Sequence, residues 1–67
     1  MEKRWLTIKD LSNYIDLSEK AIRNMIWRGQ LPHIKIGRRV RFDRFEIDRW
    51  LEKQKIEPVE EIVSRLL

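Results

Sequence analysis

The stretch Asp16-Leu-Ser-Glu-Lys-Ala-Ile-Arg-Asn-Met-Ile-Trp-Arg-Gly29 decides how this chain is read. Asp16-Leu17-Ser18 is an interruption with two cap-prone residues, and Ala21, Ile22, Met25 and Ile26 then fall on one arc of a helix that Gly29 ends. At about 100° per residue, the opposite face of that helix is built from Lys20, Arg23, Asn24 and Trp27, with Glu19 and Arg28 at its margins. Upstream, Thr7-Ile-Lys-Asp10 has the Ser/Thr-x-x-acid form of a helix N-cap, and Ile8, Leu11 and Ile15 follow at i, i+3 and i+7. This predicts a first helix over Ile8 to Ile15. Two short helices joined by a three-residue turn have the spacing of a helix-turn-helix. The tight turn sets the second helix across the first and leaves its outer face free for a groove.

Beyond Leu31-Pro32 come two alternating runs, His33-Ile-Lys-Ile36 and Val40-Arg-Phe42, around Gly37-Arg38-Arg39, which read as a β-hairpin. Two rules conflict over its register. Gly37-Arg38 suits a two-residue type II′ turn, but that turn puts Ile34 and Ile36 on the opposite face from Val40 and Phe42. A three-residue loop from Gly37 to Arg39 instead pairs Ile36 with Val40 and Ile34 with Phe42, so that all four apolar residues share one face. The second register is expected, because an isolated two-stranded ribbon persists only by burying a face. It leaves Arg38 and Arg39 at the tip and His33, Lys35 and Arg41 on the outward face of a wing.

Asp43-Arg-Phe-Glu46 has the form of a second capping box, and Ile47, Trp50 and Leu51 give a third helix, ending near Gln54 or Lys55, one apolar stripe. Trp50 is assigned to the core. The polar side, Glu46, Asp48, Arg49, Glu52 and Lys53, mixes both signs and reads as scaffold. Val59, Ile62, Val63 and Leu66 then recur at i, i+3, i+4 and i+7 after Pro58, predicting a short C-terminal helix. So short a helix does not hold alone in water, so it must dock on its own body, a twin subunit or a partner, or else stay disordered. The predicted organisation is a winged helix-turn-helix over residues 1–55, mainly α with a small β-hairpin, and a short amphipathic tail over 56–67.

Charge is placed rather than diffuse. Between Glu19 and Asp43 stand seven basic residues (Lys20, Arg23, Arg28, Lys35, Arg38, Arg39 and Arg41) and no acid, whereas residues 1–19 sum to −1 and residues 45–67 to −2. A polyanion gains affinity from each such side chain because every neutralised phosphate releases counterions, so an unopposed basic stripe is a nucleic-acid footprint. A solvated surface is the plain alternative. The 67 residues make one domain, and a chain of that size buries only about 60% of its unfolded surface, which leaves little room for an enclosed active site. With no cysteine and one histidine, His33, neither a disulfide framework nor a zinc site is expected, and no cofactor is implied. No apolar run reaches the roughly 20 residues of a membrane span, and Met1 to Trp5 lacks a signal-peptide stretch, so a soluble cytoplasmic protein is expected. No nucleophile stands at a recognisable spacing from a base, so catalysis is not expected.

The runs Leu6-Thr-Ile-Lys-Asp-Leu11, Leu17-Ser-Glu-Lys-Ala-Ile-Arg-Asn-Met-Ile-Trp-Arg-Gly-Gln-Leu-Pro32, Ile34-Lys-Ile-Gly-Arg-Arg-Val-Arg-Phe42 and Ile47-Asp-Arg-Trp-Leu51 together resemble the excisionase family of DNA-binding domains, relatives of the MerR-type winged helix-turn-helix. The resemblance covers about Leu6 to Leu51. It implies a protein that binds duplex DNA, with helix 2 in the major groove and the hairpin on the neighbouring backbone or minor groove, acting in recombination directionality or transcription regulation. By the same resemblance, Ser18, Glu19, Lys20, Arg23, Asn24 and Arg28 match recognition-helix positions, and Lys35, Arg38, Arg39 and Arg41 match the wing. The chain departs from the pattern at Phe45 and in the tail.

Among these residues Arg23 and Asn24 are the candidates for base reading, since Arg pairs bidentately with guanine and Asn with adenine. Ser18 caps helix 2 and offers a phosphate site at its N-terminus, Glu19 is expected to favour that N-terminus, and Arg38 and Arg39 suit a narrow minor groove. Trp27 is expected to stack beneath the wing or against Trp5 rather than on DNA. One short domain covers little DNA, so self-association or cooperative binding is expected. The competing reading is a protein-binding adaptor that engages an integrase or another partner through Phe45 and the apolar tail. Single-stranded RNA binding is weaker, because no platform of exposed aromatics is expected on the hairpin.

Overall fold

The structure is a computed structural model that describes residues 3–56. The predicted C-terminal helix lies outside the described residues. In chain order the elements are β1 (Trp5–Leu6), α1 (Ile8–Ile15), α2 (Glu19–Trp27), β2 (Ile34–Ile36), β3 (Arg39–Asp43) and α3 (Arg44–Lys53). The three strands form one antiparallel sheet in the order β1-β3-β2. Three helices on a small sheet, with a hairpin following the helix-turn-helix, make a winged helix-turn-helix.

Capping defines the first two helices. Thr7 makes a full capping box on α1: its Oγ1 accepts from the Asp10 amide at 3.0 Å, and Asp10 Oδ2 accepts from the Thr7 amide at 3.1 Å. Helix α1 ends at Asp16, which takes the left-handed conformation at φ 55°, while the Leu17 amide donates back to the Ser12 carbonyl at 3.2 Å. The Ser12 hydroxyl donates to the Leu17 carbonyl, so one residue ties the turn from both sides. Ser18 then starts α2, its Oγ accepting from the Ala21 amide at 3.1 Å. At the far end the Gly29 amide donates to Ile26 and the Gln30 amide to Met25, with Gly29 at φ +69°. That pair of bonds is a Schellman closure, and it fixes where α2 stops.

The core holds Leu6, Leu11, Ile22, Leu31, Phe42 and Ile47, one residue from every element but β2 together with Leu31 from the loop before it, each almost fully buried. Ile8, Ile15, Met25, Ile26, Val40, Trp50 and Leu51 pack around it. Burying each large apolar side chain contributes about 1.5–3 kcal/mol, so this small cluster supplies most of the favourable term. Two polar contacts fasten α3. The Trp50 indole N–H donates to the Gln30 carbonyl at 3.0 Å, and the Tyr14 hydroxyl donates to Asp48 Oδ1 at 2.6 Å. Trp50 is thus half-buried at the edge of the core, with its polar end satisfied.

The hairpin register differs from the expected one. Ile36 pairs with Arg39, Lys35 with Val40 and Ile34 with Arg41, leaving a two-residue turn at Gly37-Arg38. Gly37 sits at φ +62° and Arg38 has no positive φ, which is the type II′ pattern. A three-residue loop usually needs a left-handed third residue, here Arg39, and that conformation costs a non-glycine residue about 1 kcal/mol. The premise about an isolated ribbon also fails. β1 joins the sheet, with Leu6 opposite Phe42, so the sheet has three strands and its inner face closes without the two isoleucines. Residues paired across strands share a face, so Ile34, Ile36, Arg39 and Arg41 stand on the outer side and Lys35 stands with Val40 and Phe42 on the other. Lys35 and Arg41 therefore do not share the outward face, and Arg39 is a strand residue rather than part of the tip. His33 Nδ1–H donates to the Leu31 carbonyl at 2.9 Å, a local contact at the entry to β2.

Asp43 caps α3 through the Phe45 amide at 3.1 Å, two residues on, where the capping-box form predicted the third. Its carboxylate also accepts from Arg4 Nε and Nη2, both at 3.3 Å, and the Arg44 amide donates to the Arg4 carbonyl at 2.8 Å. One residue thus joins β1, β3 and α3. The Arg4 guanidinium lies 4.8 Å from the Trp5 ring centroid and 5.5 Å from that of Phe45.

Candidate nucleic-acid interface

Helix α2 buries Ile22 and turns its polar face to solvent. Lys20, Arg23, Asn24 and Trp27, at relative positions 0, 3, 4 and 7, form one exposed stripe, with Arg28 exposed at the C-cap. The helix is capped at both ends, so the stripe is held on a defined rod. Glu19 lies in its first turn, and Arg23 Nη2 donates to Glu19 Oε1 at 3.3 Å. This exposed i,i+4 pair is worth only a few tenths of a kcal/mol, so it orients Arg23 without holding it back from a stronger acceptor.

Trp27 does not stack on Trp5 or beneath the wing. It is 88% exposed, at the C-terminal end of the basic stripe beside Arg28. The sequence carries the signal, since Trp27 stands seven residues after Lys20 on the polar face, against the expectation that so large an apolar side chain packs on the body.

On the hairpin the basic side chains divide. Arg38 occupies the turn, Arg39 and Arg41 stand on the outer face of β3, and Lys35 projects from the opposite face of β2. Arg41 is partly buried, its Nη1 donating to the Val40 carbonyl at 2.8 Å. Cations thus flank the ribbon on both faces and at its tip. Arg4 had no sequence signal, because its partner Asp43 is 39 residues away.

Among the described residues no group of three His, Asp or Glu side chains is placed to hold a metal ion, and no helix is long and apolar enough to cross a membrane. No curated protein and no solved structure matches the chain. A family model described as a helix-turn-helix domain matches residues 5–55, which takes in every element from β1 to α3. The chain therefore belongs to the helix-turn-helix domain family, a DNA-binding family that includes excisionase-like proteins.

Proposed function

We propose that this domain binds duplex DNA with sequence preference, α2 lying in the major groove and the hairpin reaching the adjacent backbone or minor groove. The observation that carries the reading is the α2 stripe. Lys20, Arg23, Asn24 and Trp27 project together from a helix fixed at both ends, and the core makes no use of them. Arg23 and Asn24 read bases, each good bidentate pair being worth about 1–3 kcal/mol of discrimination. Ser18 and the first turn of α2, with Lys20 and Arg28, hold phosphates, as do Lys35, Arg38, Arg39 and Arg41 on the wing. Glu19 positions Arg23. The role is non-catalytic, and direction of excision or regulation of a promoter are the two biological settings that fit. Occupation of paired or repeated sites follows from the small footprint of one domain.

The test is selection of bound duplexes from a random pool. An enriched motif is the expected result, and its loss of information at one position in Arg23→Ala would tie that residue to a base. Recovery of an unenriched pool would overturn sequence preference. A second reading, a protein-binding adaptor acting through Phe45 and the tail, draws support from the half-exposed Phe45 ring beside Arg4 and Arg44. Arg23→Ala combined with Arg39→Ala separates the two, because an adaptor keeps its activity in that variant and a DNA binder loses it.

A further inference from the structure

The sheet has the order β1-β3-β2, and among the described residues nothing pairs with the outer edge of β2. The pair that closes a two-residue turn is a hydrogen-bonded one and pairs alternate along an antiparallel ladder, so Ile36 and Ile34 turn their N–H and C=O groups towards β3. Those of Lys35 point out of the sheet. All three residues are exposed, Ile34 and Ile36 at 40% and 62% on the outer face and Lys35 on the opposite one. The outer face stays apolar beyond the edge, since the two isoleucines line a groove of about 310 Å³ with Trp5 and Arg41. A strand edge with free backbone groups is a template for a further strand, and the order apolar-basic-apolar along β2 sets what that strand must carry.

A second copy of this chain is a poor occupant. Antiparallel pairing of two β2 strands sets Ile34 opposite Ile36 only by setting Lys35 directly opposite its counterpart, and like charges so placed destabilise a pair. Lysine on an edge strand is one of the devices that keep identical sheets apart. The same side chain attracts an acid. A segment of another protein with glutamate or aspartate opposite Lys35 and an apolar residue on each side of it lays those two residues beside Ile34 and Ile36, and its backbone meets the outward groups of Lys35. Arg39 and Arg41, on the outer face one strand further in, add to the field that draws an acidic chain.

We propose that β2 accepts an extended segment of a partner protein as a fourth strand, and that this segment alternates apolar and acidic residues with an acid opposite Lys35. The inference does not rest on the DNA-binding reading, although both use Lys35. The probe is a short peptide alternating valine with glutamate, blocked at both ends and added to the full ¹⁵N-labelled chain. The expected result is saturable shifts at the amides of Ile34, Lys35 and Ile36, with slower hydrogen exchange at the Lys35 amide. Lys9 and Asn13 on α1 should keep their positions. Absence of binding, or equal binding by a peptide with the same residues arranged in blocks, would overturn the proposal. So would protection of the Lys35 amide that rises with protein concentration before any peptide is added, which would give the edge to a second copy. Lys35→Glu should weaken binding of the glutamate peptide about fivefold and shift the preference to a peptide alternating valine with lysine, while the Leu11 and Ile47 resonances stay in place. An unchanged preference in that variant also counts against the proposal.

Discussion

Gly29 and Gly37 hold φ angles of +69° and +62°, and a Cβ built on either meets nothing within 4 Å. Their requirement is therefore conformational and not steric. Gly29→Ala and Gly37→Ala should each lose about 1 kcal/mol of stability, seen as a lower urea midpoint with unchanged m-value. Asp16 tests the same effect in reverse, since it holds φ 55° without being glycine. Asp16→Gly should gain up to about 1 kcal/mol. Trp27 is the opposite kind of residue, with almost no role in the fold. Trp27→Ala should leave stability within about 0.5 kcal/mol of the parent, as an exposed substitution does. If the indole is covered on DNA, the same change should weaken binding by on the order of 1–2 kcal/mol, or roughly tenfold, in a fluorescence titration with a selected duplex. A variant that binds as tightly as the parent would remove Trp27 from the interface.

At the scale of elements, the helices were legible because their signals are local. Thr7, Ser18 and Asp43 each cap the helix that follows, and Ile8, Leu11 and Ile15, or Ala21, Ile22, Met25 and Ile26, repeat within a few turns. The sheet was only half legible. β1 is two residues long, too short for alternation to show, and its partners Phe42 and Asp43 lie far along the chain. Without β1 a hairpin needs all four of its apolar residues on one face, and with β1 present the turn chemistry of Gly37 sets the register instead. In the candidate interface, spacing placed the α2 residues, whereas the division of Lys35 from Arg39 and Arg41 depended on that register. The caps also carry a pH signature. Hydrogen bonds from the Lys3 ammonium and the Thr7 amide hold the Asp10 carboxyl down at about 2. The Arg4 guanidinium holds Asp43 below the usual carboxylate range despite its burial, helped by the Phe45 amide. Unfolded, both return to about 3.9, so the unfolded chain binds more protons between those limits. Stability is fully present above about pH 4 and falls as pH drops towards about 2. Asp10→Asn keeps an acceptor for the Thr7 amide but cannot titrate, so its unfolding temperature should depend less on pH across that window.

Over the whole molecule, six cations on α2, its C-cap and the hairpin are exposed and Arg41 is partly so, around a core that needs none of them, and the net charge of +4 understates this because residues 57–67 contribute three acids and one base. The affinity for duplex DNA should be dominated by counterion release. With about six cations on phosphates, the logarithm of the binding constant should fall against the logarithm of salt concentration with a slope near −5. The hairpin geometry sharpens this. Lys35 lies on one face of the ribbon and Arg39 on the other, with Arg38 in the turn between them. A tip seated in a minor groove presents a cation to each wall, whereas a ribbon lying flat on one backbone presents only one face. Seating in the groove is the expected arrangement, because Arg38 in the turn then enters where the groove potential is most negative. Lys35→Ala and Arg39→Ala should then each reduce the salt slope by about 0.9. A reduction in only one of the two variants would lay the ribbon flat, and a slope near zero for the parent would remove phosphate contact as the source of affinity.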